Sequence, residues 1–239
     1  MRHCLPYFAT LCLCLPIYVM AEQSMSQFTT VLDSQFKHYA ESLSTSQSYK
    51  ALSGMDGSDA LALDIGFEIA TTRLERDSFL KSYTSKTSPD LLRTPKLHIS
   101  TRHNEGWNAG AFYTSVPDSD IQIYGGELQY LLMPNQRSLL PSLSVRGTYS
   151  QMSGVDDLFV TSTGLELSVS KGFQAFTPYA GIGTMWLDGE YELEGYTSRL
   201  TQNKYFLGLQ FNLGAFRLSA EAEQSGEEST IRAKSGFRF

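Results

Sequence analysis

From Leu61 onward the chain falls into ten stretches in which apolar and polar side chains alternate with a period of two, the signature of strands rather than helices. The first, Leu61 to Leu74, sets Leu61, Leu63, Ile65, Phe67 and Ile69 against Asp64, Gly66 and Glu68. The second, Lys96 to Arg102, sets Leu97, Ile99 and Thr101 against Lys96, His98, Ser100 and Arg102. Trp107 to Ser115 places Trp107, Ala109, Ala111 and Tyr113 on one side, and Tyr124 to Leu132 places Glu127 and Gln129 on the opposite one. Pro141 to Gln151 divides Leu143, Val145 and Tyr149 from Ser144, Arg146 and Thr148. Phe159 to Phe173 divides Leu165, Leu167 and Val169 from Glu166 and Ser168. Phe176 to Asp188 is assigned Phe176, Ala180, Ile182 and Trp186 on the apolar side, with Tyr179, Gly181 and Gly183 opposite. Lys204 to Leu213 carries Tyr205, Leu207, Leu209, Phe211 and Leu213 on one face. Phe216 to Gln224 opposes Phe216, Leu218, Ala220 and Ala222 to Arg217, Ser219, Glu221 and Glu223. In the tenth, Phe239, Phe237, Ser235, Ala233 and Ile231 alternate with Arg238, Gly236, Lys234, Arg232 and Thr230.

Sorting the charges by these parities gives the architecture. The apolar sides carry only Arg73, Lys171 and Asp188, all at or near segment ends. The other sides hold Asp64, Glu68, Glu127, Glu166, Glu221 and Glu223 with Lys96, Arg102, Arg146, Lys204, Arg217, Arg232, Lys234 and Arg238. Strands with one fully apolar and one ionised face suit a barrel in lipid, apolar side outward. A Lys or Arg facing lipid at mid-bilayer costs about 2–4 kcal/mol, so a one-residue slip of every strand would cost on the order of tens of kcal/mol. The predicted fold is therefore all-β: a transmembrane antiparallel up-and-down β-barrel of about ten strands, with eight or twelve as alternatives. The mean hydropathy of −0.21 does not oppose it, because half of each strand faces a polar lumen.

Aromatics and connections agree with that reading. Trp107, Tyr130, Phe173, Phe176, Phe216 and Phe239 fall near one end of their strands; Tyr124, Tyr149, Phe159, Trp186 and Tyr205 fall near the other. Two belts of outward aromatics match the two membrane interfaces. The connections at one end are short: His103 to Gly106, Pro134 to Ser138, Gly172 to Ala175, and Gly214-Ala215. The long ones, Glu75 to Thr94 and Gly189 to Asn203, lie at the other end, so the short turns are assigned to the periplasm and the long loops to the outside.

Ahead of the barrel (60–239) two further units are expected. Residues 1–21 read as a signal peptide: Arg2 and His3, an apolar run from Cys4 to Val19, and Val19-Met20-Ala21 before the cut. Cys4, Cys12 and Cys14 all lie there, so the mature chain is expected to have neither disulfide nor thiol chemistry. Residues 22–59 contain a short N-terminal amphipathic helix followed by a Ser- and Gly-rich linker. Phe28, Val31, Leu32, Phe36, Tyr39 and Leu43 line one face of that helix, with Gln27, Asp33, Lys37 and Glu41 on the other. Interfacial helices usually carry a basic polar face, which favours a lumen plug or periplasmic cover over membrane contact. The formal net charge of −6 argues against nucleic acid as a partner. Paired-His metal spacing and phosphate-binding loops are lacking, so no cofactor and no metal are expected. The expected surroundings are outer-membrane lipid and lipopolysaccharide, and the expected state is a monomer.

The inward charges read first as a salt-bridge network that holds a nearly closed interior, since a buried charge needs a partner. Glu221 and Glu223 can meet Arg232 and Lys234 across the last hairpin, and Asp64 and Glu68 can meet Arg232, Lys234 or Arg238 at the closure. An ion or solute path is the functional alternative. Inward Gly125, Gly181, Gly183 and Gly208 could leave a cavity on one wall, which would suit a transporter of small apolar molecules with the helix as hatch.

The terminal strand, with Phe237 and Phe239, resembles the assembly signal that the barrel-assembly machinery reads in bacterial outer-membrane barrels; the resemblance implies export to that membrane. Thr177-Pro178-Tyr179-Ala180-Gly181-Ile182-Gly183 resembles a strand of many small outer-membrane barrels. Asp64-Ile65-Gly66-Phe67-Glu68 and Arg146-Gly147-Thr148-Tyr149 resemble segments of a family of small proteobacterial barrels without characterised members. That likeness covers most of Ala60 to Trp186 and implies no chemistry. His98 and Ser100 resemble the His-x-Ser pair of the lipid A deacylases, with Glu68 as the orienting acid. The residue that follows is Thr101 where those enzymes have Asn, and the pair points inward, so an esterase is the least favoured reading and the chain is expected not to be an enzyme.

Overall fold

The computed structural model describes residues 62–73, 91–103, 106–115, 122–133, 140–154, 158–191, 196–226 and 228–239. The signal peptide, helix and linker expected before the barrel lie outside the described residues. Ten strands follow in order: β1 (Ala62–Arg73), β2 (Leu91–His103), β3 (Trp107–Ser115), β4 (Gln122–Met133), β5 (Ser142–Ser153), β6 (Leu158–Ser170), β7 (Phe176–Tyr191), β8 (Tyr196–Leu213), β9 (Phe216–Ser225) and β10 (Glu228–Arg238). Each pairs antiparallel with its sequence neighbours, and β1 pairs with β10, so the sheet closes into a barrel.

The registers fix its dimensions. Stepping across paired residues from Ala62 leads through Arg102, Asn108, Gln129, Arg146, Glu166, Gly183, Lys204 and Ser225 to Glu228. Ser229 pairs with Arg73, so Glu228 falls opposite position 74, twelve residues from the start (74 against 62). Ten strands with a shear of twelve tilt by about 40° and give a backbone radius of about 10 Å. A long side chain spans most of that distance, so residues from facing walls can meet near the axis.

Alternation runs as the sequence pattern demands. Leu63, Ile65, Phe67 and Ile69 are exposed while Asp64 and Glu68 are buried, and the same division holds along β2, β3, β6, β9 and β10. On β7, Ala180, Ile182 and Trp186 face out and Tyr179 faces in. The described charged side chains with clear outward exposure are Arg73, Arg93, Glu190 and Arg199, with Asp188 part-exposed beside Arg199, all towards strand ends on the loop side; part-exposed Lys171 lies at the turn end. A register shift between Leu131 and Met133 in β4 leaves Leu131 buried and both Leu132 and Met133 exposed. Gly106 (φ +83°) and Gly214 (φ +68°) turn the short connections in a conformation that a side chain would strain.

Two strands run further than their patterning indicates. The stretch Gly189 to Asn203, expected as a long outer loop, is mostly strand: β7 continues to Tyr191 and β8 begins at Tyr196. Where a hairpin leaves the membrane, hydrocarbon no longer excludes charge from the outer face, and exposed Glu190 and Arg199 there interrupt the apolar–polar alternation. β2 begins at Leu91 rather than Lys96 and includes Pro95, which pairs with Ile69 of β1. Its pairing with β3 starts only at Leu97, so the missing N–H of Pro95 breaks no ladder there. The Thr114 hydroxyl donates to the Pro95 carbonyl at the same place.

Candidate functional site

The site is the lumen, and its parts come from all ten strands. Of the fourteen charged residues assigned to it, Asp64, Glu68, Lys96, Arg102, Glu127, Arg146, Glu166, Lys204, Arg217, Glu221, Glu223, Arg232 and Lys234 are buried, and Arg238 is half-buried at the turn end. They gather in three groups. Around Glu68 stand Lys96 Nζ at 3.7 Å, His98 Nε2 at 2.8 Å and Arg232 Nε at 3.8 Å. Arg232 also faces Glu221 at 3.6 Å and Glu223 at 3.1 Å. Around Arg146 stand Glu127 and Glu166, each at 3.1 Å, with Gln129 Oε1 at 3.4 Å from Nη2. Lys204 Nζ completes this group, 2.5 Å from Glu166. At the turn end, Asp64 lies between Arg217 at 3.2 Å and Lys234 at 3.4 Å. Lys234 thus meets Asp64, one of the carboxylates expected for it at the closure.

Two of these contacts skip a strand. Lys204 on β8 reaches Glu166 on β6 across Gly183 of β7, and Arg217 on β9 reaches Asp64 on β1 across Gly236 of β10. A Cβ at Gly183 would stand 2.9 Å from Glu166 Cγ and 3.2 Å from Lys204 Cε; one at Gly236 would stand 3.2 Å from Asp64 Oδ1. The glycines are saddles over which charged chains meet.

The cavity expected over inward Gly125, Gly181, Gly183 and Gly208 does not form along that wall. The ring of Phe112 covers Gly125, that of Phe206 covers Gly181, and that of Tyr179 covers Gly208, each from the paired position on the adjoining strand. Glu166 and Lys204 take the space at Gly183. An aromatic ring laid over a facing glycine fills the gap that the missing side chain leaves.

Other members of the lining come from parity alone. Asn108 donates to Glu127 at 3.1 Å, and Gln129 donates to Ser144, which is 2.8 Å from Ser168. Buried Glu228 adds a further carboxylate, and its place before the last alternating segment hid it from the pattern. Towards the loop end the lining becomes apolar, with Ile123, Met152, Val160, Met185 and Leu187 all buried. His98 is spent between Glu68 and a stacked Phe112, ring centroids 5.9 Å apart. It faces the lumen, as Ser100 does, so the pair stands on the wall away from lipid.

The outer surface is the complement. Near the turns, Phe173 and Phe176 stack with ring centroids 4.9 Å apart, while tilted pairs form between Trp107 and Tyr130 at 4.5 Å, Phe176 and Phe211 at 6.5 Å, and Phe216 and Phe237 at 5.3 Å. Tyr124, Tyr149, Phe159, Trp186 and Tyr205 are exposed towards the other end. On β7, Phe176 and Trp186 are ten residues apart, about 33 Å along the strand and about 25 Å along the axis after tilt, the height of an apolar barrel band. Between the belts stand exposed Leu97, Ile99, Leu128, Leu165, Leu167 and Leu207. A closed antiparallel barrel with ion pairs inside and hydrocarbon side chains outside is a transmembrane β-barrel.

Neither protein-family models nor curated protein sequences match this chain. Among solved structures it is similar to the translocator domain of the autotransporter NalP from Neisseria meningitidis, at 12% identity and a TM-score of 0.45, covering 88% of this chain and 100% of that one. It is also similar to the N-terminal barrel domain of OprF from Pseudomonas aeruginosa, at 13% identity and a TM-score of 0.37, covering 74% and 97%. The attachment invasion locus protein Ail of Yersinia pestis aligns at 15% identity and a TM-score of 0.32, covering 76% and 100%. The class of fold rests on the strand order and registers themselves.

Proposed function

We propose that this chain is a bacterial outer-membrane barrel of structural, adhesive or narrow-pore type with a largely closed, charge-lined lumen, working as a monomer and not as an enzyme. One observation carries the reading: Arg146, Arg232, Lys96 and Lys204 are all fully buried inside the barrel, each against carboxylates. With a radius of about 10 Å, side chains of this length leave no water-filled core of porin width. The outward apolar band meets membrane lipid and lipopolysaccharide, and the alternating terminal strand is what the assembly machinery would read. Residues 1–21 serve as the export signal, and 22–59 as plug or cover.

The continuation of β7 and β8 beyond the aromatic belt favours a surface role over a pore. From Trp186 to Tyr191 the hairpin rises about 13 Å further along the axis, which sets a stiff ribbon above the bilayer. The test is liposome swelling with the full chain in an isosmotic sugar series. Swelling no faster than in protein-free vesicles is expected; swelling that tracks sugar size, as for a porin, would overturn the closed lumen.

A further inference from the structure

At the turn end of the lumen a cavity of about 10 Å3, room for about one water, is lined by Asp64, Ser100, Arg102, Asn108, Arg217 and Arg238. Three guanidinium groups and two neutral polar side chains surround it, against one carboxylate. Arg217 is 7% exposed. Its Nη1 is committed to Asp64 at 3.2 Å, whereas its Nε and Nη2 have no hydrogen-bond partner. Those two nitrogens form one edge of the planar guanidinium, the edge that grips a carboxylate or phosphate through two parallel hydrogen bonds. A buried charged donor pair left without an acceptor costs free energy, and an oxyanion removes that cost.

We propose that this mouth is an oxyanion-binding site, in which Arg217 takes one carboxylate or phosphate group through its Nε–Nη2 edge with Arg102 and Arg238 alongside. The cavity holds one oxygen of the anion, bridged between Nε–H and Nη2–H, and the remainder of the ligand stays in the open mouth at the turn end. Gly236 is part of the device: lacking a Cβ, it lets Arg217 reach Asp64 and so fixes the plane of the fork. Asp64 holds the arginine in position and at the same time competes with the incoming anion. Its removal therefore strengthens binding, an effect that a merely structural ion pair would not produce.

The test is isothermal titration of the full chain, folded in detergent micelles at low salt, with inorganic phosphate in one arm and acetate in the other. Saturable one-to-one binding is expected in at least one arm; the tighter arm identifies the group. Arg217→Gln is expected to weaken it at least ten-fold, with Arg217→Lys between the two. Asp64→Asn is expected to tighten it several-fold, and this variant decides the matter should Arg217→Gln fail to fold by its heat-shifted gel mobility. Absence of saturable binding in both arms, or affinity unchanged in folded Arg217→Gln or Asp64→Asn, would overturn the proposal.

Discussion

Lys204 of β8 passes over Gly183 of β7 to place its Nζ 2.5 Å from Oε1 of Glu166 on β6, and neither side chain is open to solvent. The relationship joins three strands through one bare backbone position. Removing Lys204 takes one of its cationic partners from a buried carboxylate that also meets Arg146, and breaking such a pair costs about 3–5 kcal/mol. Lys204→Met is expected to lose stability on that scale in urea titrations of the lipid-embedded barrel. Combining it with Glu166→Gln should cost less than the sum of the two single changes, because the partners act as one unit.

The saddle itself is testable. A Cβ at Gly183 would lie 2.7 Å from the Leu165 carbonyl oxygen, so Gly183→Ala must shift backbone as well as the ion pair. A loss of about 1–3 kcal/mol is expected. At Gly147, where nothing lies within 4 Å, the same substitution should leave the urea midpoint close to that of the parent.

The rings over the glycine wall carry packing in place of charge. Phe206 stands over Gly181 and 6.5 Å from Tyr179, buried with it. Phe206→Ala exposes that wall and is expected to cost about 3–5 kcal/mol. The same urea titration measures it, and adding Gly181→Ala should deepen the loss, because its Cβ would lie 2.5 Å from the Leu167 carbonyl oxygen.

Outward positions should be graded by depth. Leu165 is 52% exposed near the middle of β6, and Phe159 lies near the loop-side belt. Leu165→Arg is expected to cost about 2–4 kcal/mol and Phe159→Arg about 0–1 kcal/mol. Equal costs at the two depths would contradict a membrane between the belts.

Beyond the belts, geometry alone should not confer stability. Arg199 Nε donates to Asp188 Oδ1 at 2.6 Å, and this hydrogen bond together with the carboxylate charge raises the guanidinium pKa further. Both side chains are open to water, 77% and 42% exposed, and water screens such pairs. Arg199→Ala should leave the urea midpoint unchanged.

The barrel was legible because hydrocarbon excludes charge from one parity of every strand. That single rule places Asp64, Glu68, Arg146, Glu166, Lys204 and Arg232 inside without any knowledge of neighbours. Their partners were read only as sets, since a shear of twelve decides which inward residues face each other: Lys234 meets Asp64, one of the acids expected for it, whereas Arg217 skips a strand. The same shear laid Phe112, Phe206 and Tyr179 over glycines that, taken strand by strand, suggest an empty wall. The extended β7–β8 hairpin left no mark because hydrocarbon no longer excludes charge from its outer face, where Glu190 and Arg199 stand exposed. Pro95, read in isolation, argues against a strand; only the late start of the β2–β3 ladder makes it harmless.

The most direct measurement uses the chain's two tryptophans, Trp107 and Trp186, which are outward and stand at opposite ends of the barrel. Single-tryptophan variants made with Trp107→Phe or Trp186→Phe would be folded into vesicles whose lipids carry bromine at graded depths. Both tryptophans are expected to be quenched most by the shallowest bromines, one at each interface. Fluorescence indifferent to brominated lipid, or quenching strongest at the bilayer centre, would contradict a barrel that spans the membrane between its two aromatic belts.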